Sequence, residues 1–134
     1  MYKTIPQTFA QIVSKYPAYA VQMSKDKNGI FTSVSYSELS SEVNSLAASL
    51  AKRGVKRGDL IGLISDNRSE WLASDLAILT LGAADVPRGR DAMPYEISFI
   101  LNITEARFCF VENAVQLRKI VNLLDKLPAL KHLI

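Results

Sequence analysis

The chain has 134 residues, 49% hydrophobic and 22% charged, the balance of a globular protein with one core rather than of a disordered segment. Its net charge of +3, from 16 basic and 13 acidic residues, is too slight a surplus to indicate a nucleic acid or an anionic membrane as partner. The lone cysteine, Cys109, excludes an intrachain disulfide and a cysteine-based metal site.

The opening stretch Met1 to Gln7 has no apolar run of signal-peptide length. The most apolar region, Trp71 to Val86, is interrupted by Asp75 and Asp85 and is shorter than the ~20 residues that cross a bilayer. A cytoplasmic protein without a transmembrane segment is the expectation.

Pro6 to Lys15 carries Phe9, Ile12 and Val13 at helical spacing, and Pro17 stops it. Two β-like runs follow, Tyr19 to Ser24 and Phe31 to Tyr36, joined by Lys25-Asp26-Lys27-Asn28-Gly29, and the Asn28-Gly29 pair predicts a hairpin because both residues tolerate positive φ. Ser35 and Glu38 have capping-box spacing. Leu39, Val43, Leu46, Ala47 and Leu50 then form one apolar stripe that ends at Gly54.

From Leu60 the rhythm changes. Leu60 to Ile64 is a continuous apolar run, as expected of a parallel strand covered on both faces. Asp66 and Asn67 are placed to cap a helix that runs to Leu81, with Gly82 as terminator. Ala83 to Val86 is a short strand, Pro94 opens a helix with Ile97, Ile100 and Leu101 inward, and Phe108 to Val111 is a third strand. Val115 to Leu127 predicts one helix with Leu117, Ile120, Val121 and Leu124 inward, ended by Pro128. Leu130 to Ile134 has the look of a further strand met as it begins, which predicts that the native chain continues and that this piece exposes apolar surface. The alternation predicts an α/β fold: a partial doubly wound, mainly parallel sheet with flanking helices and a short antiparallel hairpin near the N-terminus, residues 1–134 forming one domain or subdomain.

Chemistry is sparse. There is no Walker-type Gly-Lys-Ser/Thr and no Gly-x-Gly-x-x-Gly, and the turn from Ser65 to Glu70 has no glycine through which a pyrophosphate would approach the backbone. No catalytic residue and no metal ligand is indicated. His132, the only histidine, lies beside the last residues, and Cys109 sits in an apolar run that disfavours a thiolate. Lys52, Arg53, Lys56 and Arg57 form the densest basic cluster, but without interleaved aromatics they fit a solvated helix end. Arg88 and Arg90, after the second parallel strand, are the candidate contacts for a phosphate or carboxylate, with a solvated loop or an ion pair to Asp91 as the alternative.

The order of these features is more telling than any one of them. Val34-Ser35-Tyr36-Ser37-Glu38-Leu39, Leu46 to Leu50, Gly54-Val55-Lys56-Arg57-Gly58-Asp59, Ile61 to Ile64, Asn67, Glu70-Trp71, Ala77-Ile78-Leu79, Gly82 to Pro87 and Glu96 to Leu101 follow one another over roughly residues 5–112. Together they resemble the start of the adenylate-forming superfamily, the AMP-forming acyl-CoA ligases. Asp85-Val86-Pro87-Arg88-Gly89-Arg90-Asp91 is most similar to bacterial long-chain fatty acid–CoA ligases.

The resemblance implies a parent enzyme in which a fatty acid carboxylate attacks the α-phosphorus of ATP, with Mg2+ offsetting charge, and coenzyme A then displaces AMP. The family's Ser/Thr/Gly-rich loop, its later aromatic, acidic and arginine motifs and its C-terminal lysine match no position here. It follows that this segment is a scaffold for the ATP and acyl sites, inactive alone, binding none of these ligands tightly. The competing expectations are a stand-alone flavodoxin-like binding module and a nucleic-acid module using Lys52 to Arg57.

Overall fold

The computed structural model describes residues 3–134; Met1 and Tyr2, part of the opening stretch considered above for a signal peptide, lie outside the described residues. Helix α1 (Ile5–Lys15) starts from a capping box. The Thr4 hydroxyl accepts from Gln7 N–H, and the Gln7 side chain accepts from Thr4 N–H. Strands β1 (Ala20–Lys25) and β2 (Phe31–Ser35) pair antiparallel as a separate two-stranded sheet.

The predicted hairpin forms, and its connection is organised by Asp26. Asp26 N–H donates to Ile30 O at 2.9 Å, and the Asp26 carboxylate accepts from Asn28 N–H and Ile30 N–H. Only Gly29, at φ +79, is left-handed; Asn28 is not. The aspartate side chain organises this loop by satisfying backbone donors, and those donors hold its carboxyl below the usual carboxylate range.

Helix α2 (Tyr36–Lys52) begins at the predicted capping box: Ser35 accepts from Glu38 N–H and Glu38 from Ser35 N–H. It ends at Gly54, whose φ of +90 a side chain would oppose. Strand β3 (Leu60–Ile64), helix α3 (Ser69–Thr80), strand β4 (Ala84–Arg88), helix α4 (Pro94–Ile103), strand β5 (Phe108–Val111), helix α5 (Ala114–Val121), a 3₁₀ turn (Leu124–Lys126) and strand β6 (His132–Leu133) complete the chain.

The four later strands form a parallel sheet in the order β4-β3-β5-β6. Pro87 is tolerated because β4 is the edge strand and its missing N–H breaks no ladder on the outer side. Side-chain alternation splits the core into two layers. Ile61, Leu63, Phe108 and Phe110 face α2 and α3, while Ile64 and Cys109 face α4 and α5. The partial doubly wound α/β architecture expected from the sequence is thus the observed one.

Two local expectations fail. The α3 N-cap is Arg68, with no side-chain cap, so neither Asp66 nor Asn67 caps the helix. The predicted 115–127 helix divides into α5 and the 3₁₀ turn, and its inner face is Gln116, Ile120, Leu123 and Leu127. Leu117, Val121 and Leu124 lie on the neighbouring face at 37%, 47% and 43% exposure, whereas Gln116 is at 4%. Gln116 can go inward because its Nε2–H donates to Arg90 O at 3.1 Å, although its Oε1 finds no partner among the described residues.

Candidate functional site

After β3 the chain goes to β4 on one side, and after β4 it crosses to β5 on the other. The carboxyl ends of β3 and β5 therefore flank a topological switch point, where open α/β sheets form their binding crevices. A cleft of about 260 Å³ opens there, walled by Leu63, Trp71, Phe110 and Glu112 and roofed by Arg68 and Glu70.

Its rim is a polar network built by the turns that leave the two strands. Glu112 N–H donates to Ile64 O at 3.0 Å, extending the ladder by one rung. In return the Glu112 carboxylate accepts from Asp66 N–H at 3.1 Å. Arg68 Nε and Nη2 grip the Glu70 carboxylate at 2.8 Å each, and Arg68 Nη1 donates to Glu112 O at 3.3 Å. The Arg68 guanidinium, with help from Ser69, drops the Glu70 carboxyl to about 2, so it stays ionised at any ordinary pH. One arginine faces two carboxylates, which gives this cleft a net negative charge.

On the other side of Trp71 lies a second cleft of about 340 Å³, between the carboxyl ends of β3 and β4, bordered by Ser65, Asp66, Asn67, Trp71 and Arg88. Both sequence-predicted anion contacts are at this end of the sheet, but in different states. Arg90 is paired with Asp66: its Nε lies 2.8 Å from Oδ2, and its N–H donates to Oδ1 at 3.3 Å. The partner is Asp66 rather than the sequence-adjacent Asp91. Arg88 ends β4, is exposed, and has no carboxylate within ion-pair distance among the described residues. The sequence reasoning missed Arg68 and Glu112. The signal available was that each follows the end of a buried strand within four residues.

The other reactive side chains are structural. Burial pushes the Cys109 thiol up to about 12, so no thiolate forms. His132 stacks on Phe108, ring centroids 4.6 Å apart, and ties β6 to β5. Lys52, Arg53, Lys56 and Arg57 lie exposed at the end of α2 and the turn after it. The cluster's turn is closed by Asp59, whose carboxylate accepts from Lys56 N–H.

Among the described residues no three His, Cys, Asp or Glu side chains converge as a metal would require. The cleft on the β5 side opposes a nucleotide triphosphate, since Glu70 and Glu112 outnumber Arg68 among its lining residues. Neither Mg2+ nor the ATP phosphates fit the residues lining that cleft.

A crevice at the switch point of a parallel sheet with helices on both faces defines one lobe of an open, doubly wound α/β fold. The family model for AMP-binding enzymes matches residues 9–134, and the chain belongs to that family. It is 29% identical over 107 residues to the long-chain-fatty-acid–CoA ligase FadD15 of Mycobacterium tuberculosis, covering 80% of this chain and 18% of FadD15. It is 38% identical over 85 residues to a linear gramicidin synthase polypeptide of Brevibacillus parabrevis, covering 63% of this chain and 1% of that protein. The crystal structure of the anthranilate–CoA ligase AuaEII with anthranoyl-AMP shares the fold, at a TM-score of 0.83 and 24% identity over 98% of this chain and 24% of AuaEII. The chain thus spans about a fifth of the length of the fatty acyl relative it matches.

Proposed function

We propose that this chain is the N-terminal part of an AMP-forming ligase that activates long-chain fatty acids as acyl-adenylates and transfers them to coenzyme A. The observation that carries the reading is the family match across residues 9–134, joined to the likeness to FadD15 over four-fifths of the chain. In this reading ATP, Mg2+, the fatty acid and coenzyme A are held mainly by the rest of the polypeptide. Residues 1–134 contribute the sheet, the two helical layers and the crevice walls against which those parts pack. In this reading they perform no adenylation alone, the phosphate loop and the activating lysine lying in the rest of the polypeptide.

The gramicidin synthase likeness, higher in identity over a shorter span, favours a second reading: an adenylation domain that activates amino acids for a carrier-bound thiol. The two differ in their acid and their acceptor. The full polypeptide bearing this chain is to be incubated with ATP, Mg2+ and coenzyme A, and with fatty, aryl or amino acids in turn, and the thioesters identified by mass spectrometry. Long-chain acyl-CoA as the main product supports the proposal. Thioesters of aryl acids alone, or amino acids activated without transfer to coenzyme A, would overturn it.

A further inference from the structure

We propose that the cleft between the carboxyl ends of β3 and β4 binds a phosphate oxyanion, held by Arg88 beside the indole of Trp71. The clefts on the two sides of Trp71 carry opposite charge. On the β5 side Arg68 is outnumbered by Glu70 and Glu112. On the β4 side Asp66, the one carboxylate among the described residues lining the cleft, is neutralised by Arg90 through the guanidinium and the backbone, while Asp91 packs against Gly89 outside that lining. That leaves the Arg88 charge uncompensated among the described residues, where its sole hydrogen bond is a long one, 3.4 Å to Pro87 O. A guanidinium with its fork free is suited to bidentate capture of a phosphate.

Other donors on this wall are also unspent. The Asn67 side chain and the Trp71 indole N–H make no hydrogen bond among the described residues, and both border the cleft. At about 340 Å³ the space admits a phosphate group and part of whatever carries it. The Trp71 ring supplies a flat apolar side for that part.

The wall is also held in place before any ligand arrives. Arg90 O accepts from Gln116 Nε2 at 3.1 Å and from Lys119 Nζ at 2.7 Å, and Ala92 O accepts from Lys119 Nζ at 3.3 Å. Asp66 grips the same loop from β3. The segment after Arg88 is thereby fixed from two elements, so binding orders little new chain.

Trp71 is the only tryptophan, so its fluorescence reports the cleft directly. The protein is to be titrated at constant ionic strength with inorganic phosphate. A separate titration uses vesicles of phosphatidic acid in phosphatidylcholine, with pure phosphatidylcholine vesicles as reference. A saturable change with inorganic phosphate assigns a soluble phosphorylated ligand, and a change with the acidic vesicles alone assigns a lipid headgroup. In either case Arg88→Gln is expected to weaken binding about tenfold or more, the usual loss when a charge-assisted hydrogen bond to phosphate is removed. Arg53→Gln, in the remote basic cluster, is expected to bind as the parent does. No saturable response with either probe, or Arg88→Gln binding like the parent with unchanged circular dichroism, would overturn the site. Phosphate capture here is independent of the ligase reading, which stands or falls on the thioester assay.

Discussion

Gly62 is the one position in the sheet where a methyl group would have no room. It lies mid-β3 on the α4–α5 face, and a Cβ built there would stand 2.7 Å from Leu101 Cδ2 and 2.8 Å from Cys109 Sγ. Ordinary contacts between such atoms are about 3.5–4.0 Å, so both neighbours must give by nearly an ångström. Leu101 and Cys109 are themselves buried at 1% and 0% exposure, with no open side to move toward. Overpacking of this kind costs about 1–3 kcal/mol. The reduced freedom of the unfolded chain on Gly→Ala returns about 0.4–1 kcal/mol. Gly62→Ala is therefore expected to lose about 1.3 kcal/mol at the middle of these ranges and at most about 2.6 kcal/mol. With a melting entropy of about 2.1 cal/mol/K per residue over 134 residues, that is a Tm lower by about 5 °C and at most about 9 °C. Thermal unfolding by circular dichroism and urea titration read both quantities. In a Cys109→Ala background the sulfur is gone and Leu101 can swing into its place, so the same substitution should cost at least about 0.5 kcal/mol less. A Gly62→Ala protein as stable as the parent, or an identical cost in both backgrounds, would refute this view of the β3–α4 packing.

Burial, together with the neighbouring Asp85, raises the Asp75 carboxyl to about 6. The folded protein thus binds a proton there that the unfolded chain releases near the ordinary 3.8. This group's contribution to stability is full below about pH 4 and is lost as pH rises through 6. Asp75→Asn should raise stability at pH 7–8 and flatten this slope in urea titrations; an unchanged slope would contradict the coupling. Glu70 acts oppositely, its contribution present above about 4.5 and lost as pH falls toward 2, and Glu70→Gln should remove that acid limb. Because the Arg68–Glu70 pair is exposed at 41% and 58%, the loss at neutral pH should stay below about 1 kcal/mol. Ser35→Ala should cost about 1 kcal/mol in the same titrations through loss of the α2 cap. Tyr95, Phe99 and Ile103 form an exposed apolar stripe along α4. Self-association in light scattering is expected from it and should diminish in Phe99→Glu.

The elements of this fold were legible because each carries its own local signal. The capping box at Ser35 and Glu38, the Gly54 stop and the unbroken apolar run of β3 act within a few residues, and periodicity alone separates the helices from the strands. The failures share a physical cause, which is that the deciding partner is distant in sequence. Asp66 could act as a cap or as an ion-pair partner, and the choice is made by Arg90, 24 residues on. Leu117 is more apolar than Gln116, so hydropathy points the wrong face of α5 inward. A carbonyl 26 residues back, Arg90 O, satisfies the glutamine amide and reverses that choice. Glu112 has its place after a buried strand as its only local sign, since its role is to accept the Asp66 N–H, 46 residues away, across the switch point. Arg88 and Arg90 were placed correctly at the end of the sheet, but only the fold shows that Arg90 is spent on Asp66 and that Arg88 has no ion-pair partner among the described residues.

Acid-dependent exchange of labelled pyrophosphate into ATP, catalysed by the full polypeptide that carries this chain, tests the ligase reading most directly. Exchange is expected to require Mg2+ and to be driven by long-chain fatty acids in preference to aryl or amino acids. Absence of exchange with every carboxylic acid, from a polypeptide shown to be folded, would contradict it.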